Sequence, residues 1–201
     1  TLRLYEMFMG DFEKSGPWSM DSVRGCKRFL DRIWNLQNIL IDGDSYRKEL
    51  ETPFHQTIKK VSEDIESMKF NTAIAAMMSL LNQISDSGAI NRAEYRDLLI
   101  MLNPFAPHMT EELFEEMGFG GLISSCQWVK WDEEKCKEST VEIVAQVCGK
   151  IRAKLVVPAD ISQEEAIALA KAEPRVAAEI EGKKIVKELY VKGKLVNIVA
   201  K

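Results

Sequence analysis

Apolar positions along this chain change their spacing once, near residue 140. Before it they recur every three or four residues, the period of an amphipathic helix; after it they alternate, the period of a strand. "TLRLYEMFMG" at 1–10 reads as the end of a helix stopped by Gly10, and "DFEKSGPWSM" at 11–20 as a loop dense in turn residues. Val23, Cys26, Leu30 and Ile33, flanked by Phe29 and Trp34, predict a helix over 21–37, closed by "IDGDS". Phe54, Ile58, Val61, Ile65 and Met68 step by four, three, four and three, a one-sided stripe with Pro53 near the helix start, where a missing N–H costs least. Asn71 is expected to cap a third helix, 72 to about 84. Asn91 with Glu94 resembles a capping box for a fourth, which the two prolines of "NPFAPH" end. "TEELFEEM" predicts a short fifth helix stopped by Gly118. Amphipathic helices of this length, joined by short turns, make an antiparallel bundle.

Residues 118–140 keep no period and read as a linker in which Trp128 and Trp131 pack against a neighbouring surface. Then Val141, Ile143, Ala145 and Val147 alternate, followed by Ile151, Ala153, Leu155 and Val157, with Cys148-Gly149 at the turn of a hairpin. Ser162 with Glu165 opens a helix to about 172, residues 174–180 add another closed by Gly182, and a second hairpin turns around Gly193. The expected fold class is therefore mixed: an all-α antiparallel helical bundle over 1–118, a linker over 119–140, and a small α+β domain of order ββααββ over 141–201.

Composition adds a folded, soluble class, since 46% of residues are apolar and 29% charged. No apolar run approaches the ~20 residues of a bilayer span, and no basic-then-apolar leader opens the chain. No membrane partner is expected, and the chain is expected to be monomeric. The first residue is Thr1, which suggests a start inside a longer protein. Cys26, Cys126, Cys136 and Cys148 form no C-x-x-C pair, so free thiols in a cytoplasmic chain are expected rather than a zinc knuckle or disulfides. Charge changes the picture more. Residues 1–140 carry 16 Lys and Arg against 23 Asp and Glu (net −7), and residues 141–201 carry 11 against 8 (net +3). A basic C-terminal part on an acidic chain suggests a polyanion partner.

Lys150, Arg152 and Lys154 lie at period two, which would place them on one strand face, and Lys183, Lys184, Lys187, Lys192 and Lys194 fall on or beside the second hairpin. Such a face suits a phosphate backbone, each contact releasing a counterion. It equally suits a solvated surface that blocks edge pairing. Arg24, Lys27, Arg28 and Arg32 give the 21–37 helix a weaker cationic face. His108 with Glu111 and Glu112 offers a half-site that no further His or Cys completes, so no metal is expected. "GFGG" at 118–121 lacks the Gly-Lys-Ser/Thr of a phosphate loop and reads as a flexible joint. Neither His55 nor His108 has an identifiable orienting partner, so no catalytic residue is assigned. Two other classes stay open on the residues alone: a free-standing interaction module with a basic docking domain, and an enzyme using one of these histidines.

Five stretches in order resemble one family. "TLRLYEMFMGDFEKSGPWS", "FNTAIAAMMSLLN", "LNPFAPHMTEELFEEMG", "VCGKIRAKLVVPAD" and "GKLVNIVAK" are similar to the carboxyl-terminal part of bacterial-type leucyl-tRNA synthetases, over the full chain. The resemblance implies a class I aminoacyl-tRNA synthetase: an anticodon-binding helical bundle, then a domain that contacts the tRNA elbow. It implies leucine tRNA as partner, with the catalytic and editing domains of the same polypeptide. ATP and Mg would serve the parent enzyme, with no cofactor in this chain. The HIGH and KMSKS signatures do not occur here, so the isolated chain is expected to be inactive. Three positions depart from the family pattern: Cys148 where Asn is usual, Phe114 for Trp, and Val129 for Pro.

Overall fold

The structure, a computed structural model, describes residues 1–11, 14, 16–137 and 140–200. Three positions of the 11–20 loop, two of the expected linker and Lys201 lie outside the described residues. The chain divides into two compact units, Thr1–Lys137 and Glu138–Lys201. Among the described residues no helix is long and apolar enough to cross a membrane.

Among the described residues the first unit is built on six α-helices: α1 Leu2–Phe8, α2 Met20–Asn35, α3 Lys48–Glu66, α4 Phe70–Ser87, α5 Arg92–Leu102 and α6 Pro107–Glu116. The stripe of α3 does what its spacing predicts: Phe54, Ile58 and Val61 are fully buried, against Met77, Leu81 and Leu98 among others. Two details differ. The helix starts at Lys48, so Pro53 falls in its second turn, where it removes one intrahelical bond. Met68 is not part of the stripe: it leaves the helix in the left-handed region (φ 56) and is exposed. Asn71 does not cap α4 either, because the helix begins at Phe70 with Lys69 as its N-cap and runs on to Ser87. The left-handed Gly88 (φ 73) ends it.

The capping box of α5 is present, and it is the centre of a larger knot. Asn91 Oδ1 accepts from the Glu94 N–H at 2.9 Å, and the Glu94 carboxylate accepts from the Asn91 N–H at 2.9 Å. Fully buried, Glu94 also takes the Arg47 N–H at 2.8 Å and Arg47 Nε at 3.0 Å. Arg47 then donates to the Ala89 carbonyl at 2.6 Å and to Ser87 Oγ at 3.1 Å. Beside this knot, β1 Leu40–Ile41 pairs in parallel with β2 Ile90–Asn91, a two-residue ladder too short to leave a periodic signal.

The stretch expected as a linker packs onto the helices as far as Lys137. Ile123 and Val129 are buried, and the Ile123 N–H reaches Glu111 Oε1 at 2.9 Å. Trp128 Nε1 donates to Ser62 Oγ at 2.8 Å, and the Asp132 N–H donates to His55 Nδ1 at 3.1 Å. Gln56 holds the Cys136 carbonyl, while Lys59 meets Glu133 and Lys135 meets Glu51. This ladder runs along one side of α3. Side chains distant in sequence supply it, so beyond the two tryptophans local composition gave no warning of it.

In the second unit, β3 Thr140–Val147 and β4 Lys150–Pro158 form the first hairpin; α7 Gln163–Ala172 and α8 Pro174–Ile180 follow, then β5 Ile185–Val191 and β6 Leu195–Ala200. Strand order is β4-β3-β6-β5, and β3 runs parallel to β6. Both residues of the first turn are left-handed, Cys148 at φ 50 and Gly149 at φ 79, as a two-residue type I′ turn requires. The Ser162–Glu165 capping box starts α7, and Pro174 occupies the first turn of α8. Ala166, Ile167, Ala170 and Val176 of these helices bury Ile143, Ala145, Val147, Val196 and Ile198 of the central strands.

Candidate nucleic-acid interface

Only one face of this sheet is covered by the helices. The other presents Val144 and Gln146 of β3, Leu195, Asn197 and Val199 of β6, and Leu189 and Val191 of β5, with Ile151 and Val156 of β4 at 63% and 72% exposure. It is a largely aliphatic floor on which Lys154 and Lys187 stand opposite Val144 and Val199, with the other cations toward its ends.

The expected single face of Lys150, Arg152 and Lys154 does not form. A register shift lies between Ala145 and Gln146: Ala145 pairs with Ala153, but Gln146 pairs with Ile151. One extra residue on β4 flips every side chain beyond it to the other face. Lys154 therefore stands on the open face opposite Val144, and Lys150 stands opposite core-facing Val147. Arg152, the extra residue, reaches Glu179 of α8 at 3.1 Å, and its buried Nε has no hydrogen-bond partner among the described residues. Lys154 is paired with Glu142 at 2.9 Å. Lys183 holds Glu179 at 3.3 Å; that bond first, then Arg152, keeps the Glu179 carboxyl below its ordinary range.

Lys150, Lys184, Lys187, Lys192 and Lys194 have no ion-pair partner among the described residues. They form two groups. Ile185 pairs with Ala200, and the Cys148 N–H donates to the Ile198 carbonyl, so Lys150 on β4 and Lys184 and Lys187 beside or on β5 lie at opposite edges of the same end of the sheet, where β6 finishes. Lys192 and Lys194 flank the turn at the start of β6, where the Lys194 carbonyl accepts from Val144. Five residues of β6 at ~3.4 Å each separate the two ends, about 17 Å.

The cationic face of α2 is largely spoken for. Arg24 pairs with Asp21 at 2.9 Å and Lys27 with Asp31 at 2.7 Å. Arg32 ties α2 to α4 through Asn82 Oδ1 and Ser85 Oγ, both at 2.9 Å. Arg28 alone of the four has no such partner among the described residues. The histidines stay apart. His55 is buried with Nδ1 occupied as an acceptor; burial, then Lys135, lowers its pKa below the ordinary value. His108 is exposed on α6, and no group of three metal-ligating side chains occurs among the described residues.

Residues 47–168 match the family described as the anticodon-binding domain of tRNA ligase. The chain belongs to that family. The chain is 52% identical over all 201 residues to the leucine–tRNA ligase of Alkaliphilus oremlandii, of which it spans 25%. It is 43% identical to that of Brachyspira hyodysenteriae, spanning 26%. The chain thus spans about a quarter of the length of the curated relatives it matches. A solved ternary complex of the Agrobacterium radiobacter K84 LeuRS with tRNA and LeuAMS shares its fold over the whole chain, with a TM-score of 0.71 at 24% identity, and the match covers 28% of that chain.

Proposed function

We propose that this chain is the tRNA-binding carboxyl-terminal part of a cytoplasmic leucine–tRNA ligase, with the small domain contacting the tRNA elbow. The relatives' names and the fold neighbour's bound tRNA support the partner. The observation that carries the reading is the open sheet face: a largely aliphatic floor with, among the described residues, unpaired lysines toward both ends and no acidic side chain on it except Glu142, which Lys154 engages. Recognition of this kind is by shape and backbone charge, the mode that suits folded RNA. The helical unit supplies the anticodon-stem side of the contact. Activation of leucine with ATP and Mg, transfer to leucine tRNA, and editing belong to the remaining three-quarters of the relatives' length; alone, this chain binds and does not react.

Fluorescence anisotropy with leucine tRNA, a non-cognate tRNA and an RNA duplex over a salt series tests this. Both tRNAs should bind more tightly than the duplex. Changing Lys150, Lys184 and Lys187 together to Ala should flatten the salt slope by about two, at roughly 0.7–0.9 per lost phosphate contact. Changing the ion-paired Arg152 and Lys154 should flatten it less. An unaltered slope in the triple variant refutes the lysine ends as the contact, and indifference to RNA refutes the reading.

A further inference from the structure

Helix α7 is apolar over more of its surface than the fold uses. From Ala166 to Ala172 it reads Ala-Ile-Ala-Leu-Ala-Lys-Ala, with Lys171 as the one polar side chain. Ala166, Ile167 and Ala170 are buried against the sheet, whereas Ala168, Leu169 and Ala172 are exposed, Leu169 at 47%. A helix that is apolar all round is ordinarily buried all round. Beside the exposed residues, Pro158 and Ile161 of the segment leading into α7 complete a groove of about 650 Å³, built from the second unit alone.

The charge at this groove runs against that of its domain. Residues 141–201 carry a net +3, yet from Leu155 to Ala170 there are three carboxylates, Asp160, Glu164 and Glu165, and no Lys or Arg. Asp160 and Glu165 line the groove. Glu165 closes the capping box through Oε2, which accepts from the Ser162 N–H at 3.2 Å and from Ser162 Oγ at 2.8 Å. Asp160 and Glu164 have no ion-pair partner among the described residues. The helix dipole accounts for Glu164 and Glu165 in the first turn. It accounts neither for Asp160, which precedes the N-cap, nor for the aliphatic face beside them. Local negative charge repels a phosphate backbone and attracts Lys or Arg. The small side chains of Ala168 and Ala172 let another helix approach closely, and Leu169 supplies an anchor between them.

We infer that the α7 groove docks a cationic amphipathic helix of a partner protein. The apolar stripe of that helix lies along Ala168, Leu169 and Ala172, and a Lys or Arg beside the stripe meets Asp160 and Glu165. Helix α7 sits on the covered side of the sheet, away from the open face, so the inference does not depend on RNA binding.

Three fluorescein-labelled peptides of about five helical turns test this, sharing one Leu/Ala stripe at helical spacing and flanked by Lys, by Gln or by Glu. Titrated with the full chain and followed by anisotropy, the Lys-flanked peptide should bind at least about fivefold more tightly than the Glu-flanked one. Leu169→Ala trims an exposed side chain, leaves the fold intact and should weaken that binding about tenfold. Asp160→Lys, at an exposed and unpaired position, should reverse the order of the Lys- and Glu-flanked peptides. Absence of binding, equal affinity for all three peptides, or binding indifferent to Leu169→Ala overturns the inference. Leucine tRNA affinity should be unchanged by Leu169→Ala; a parallel loss would assign the groove to the RNA contact and overturn the protein partner. A dimer of the chain alone that Leu169→Ala abolishes, seen by sedimentation, would give the groove to a second copy and overturn it equally.

Discussion

Replacing Glu94 by Ala should be among the most damaging single changes in the helical unit. The carboxylate is fully buried and accepts from three donors: the Arg47 N–H, Arg47 Nε and the Asn91 N–H. Its removal strands the Arg47 guanidinium, whose side chain is 17% exposed, beside two backbone donors. Breaking one partner out of a buried pair costs about 3–5 kcal/mol. Arg47 keeps its bonds to Ala89 and Ser87, which places the expected loss near the lower end, about 3 kcal/mol. Glu94→Gln keeps an acceptor oxygen and the side-chain volume and should cost less, about 1–2 kcal/mol. All four tryptophans lie in the first unit, so tryptophan fluorescence during urea unfolding reports that unit alone. With m-values of ~1–3 kcal/mol/M, Glu94→Ala should move the midpoint down by about 1–3 M. A shift below about 0.3 M would show that the Glu94 knot is not what holds α3, β2 and α5 together. Equal losses for Gln and Ala would show that the negative charge itself, not the number of acceptors, sets the cost.

Two further outcomes follow from particular side chains. His55 is held neutral in the fold, facing Lys135, Glu51, Asp132 and Asp97; the unfolded chain binds a proton first as pH falls through about 6.5, so stability is lost from there down toward the lowered folded value. His55→Asn supplies an acceptor without that titration, so its urea midpoint should drop less than wild type between pH 7.5 and 5.5; equal drops would refute the assignment. Cys148 occupies a left-handed position that Asn tolerates better, so Cys148→Asn should stabilise the small domain by about 0.5–1 kcal/mol. Slower hydrogen exchange at the β3 and β6 amides would register the gain, and unchanged exchange would count against it.

The periodic stripe of α3, both capping boxes and the two alternating stretches were readable because each is encoded within a few residues. What the sequence hid depends on pairing. Strict alternation from 150 to 154 looks like one basic face, and only the shifted register against β3 reveals that Arg152 turns to Glu179 while Lys154 faces out. Residues 119–137 have no period of their own, because Ser62, His55, Gln56 and Lys59 of α3 place them. The two-residue parallel ladder of β1 and β2 is likewise invisible without its partner.

The strand order of the small domain has a kinetic consequence. β6 lies between β3 and β5, so during synthesis the β3–β4 hairpin emerges with Ile143, Ala145 and Val147 facing helices but without the central neighbour that completes the sheet. Everything up to residue 194 can leave the ribosome before Leu195–Ala200 arrives to pair in parallel with a strand some fifty residues earlier. Closing that long loop precedes the reward of the pairing, which makes non-local sheets slow to form. The helical unit, rich in local contacts, has no such wait. Refolding from urea should therefore show two phases, a fast one in tryptophan fluorescence and a slower one in the protection of the β3 and β6 amides.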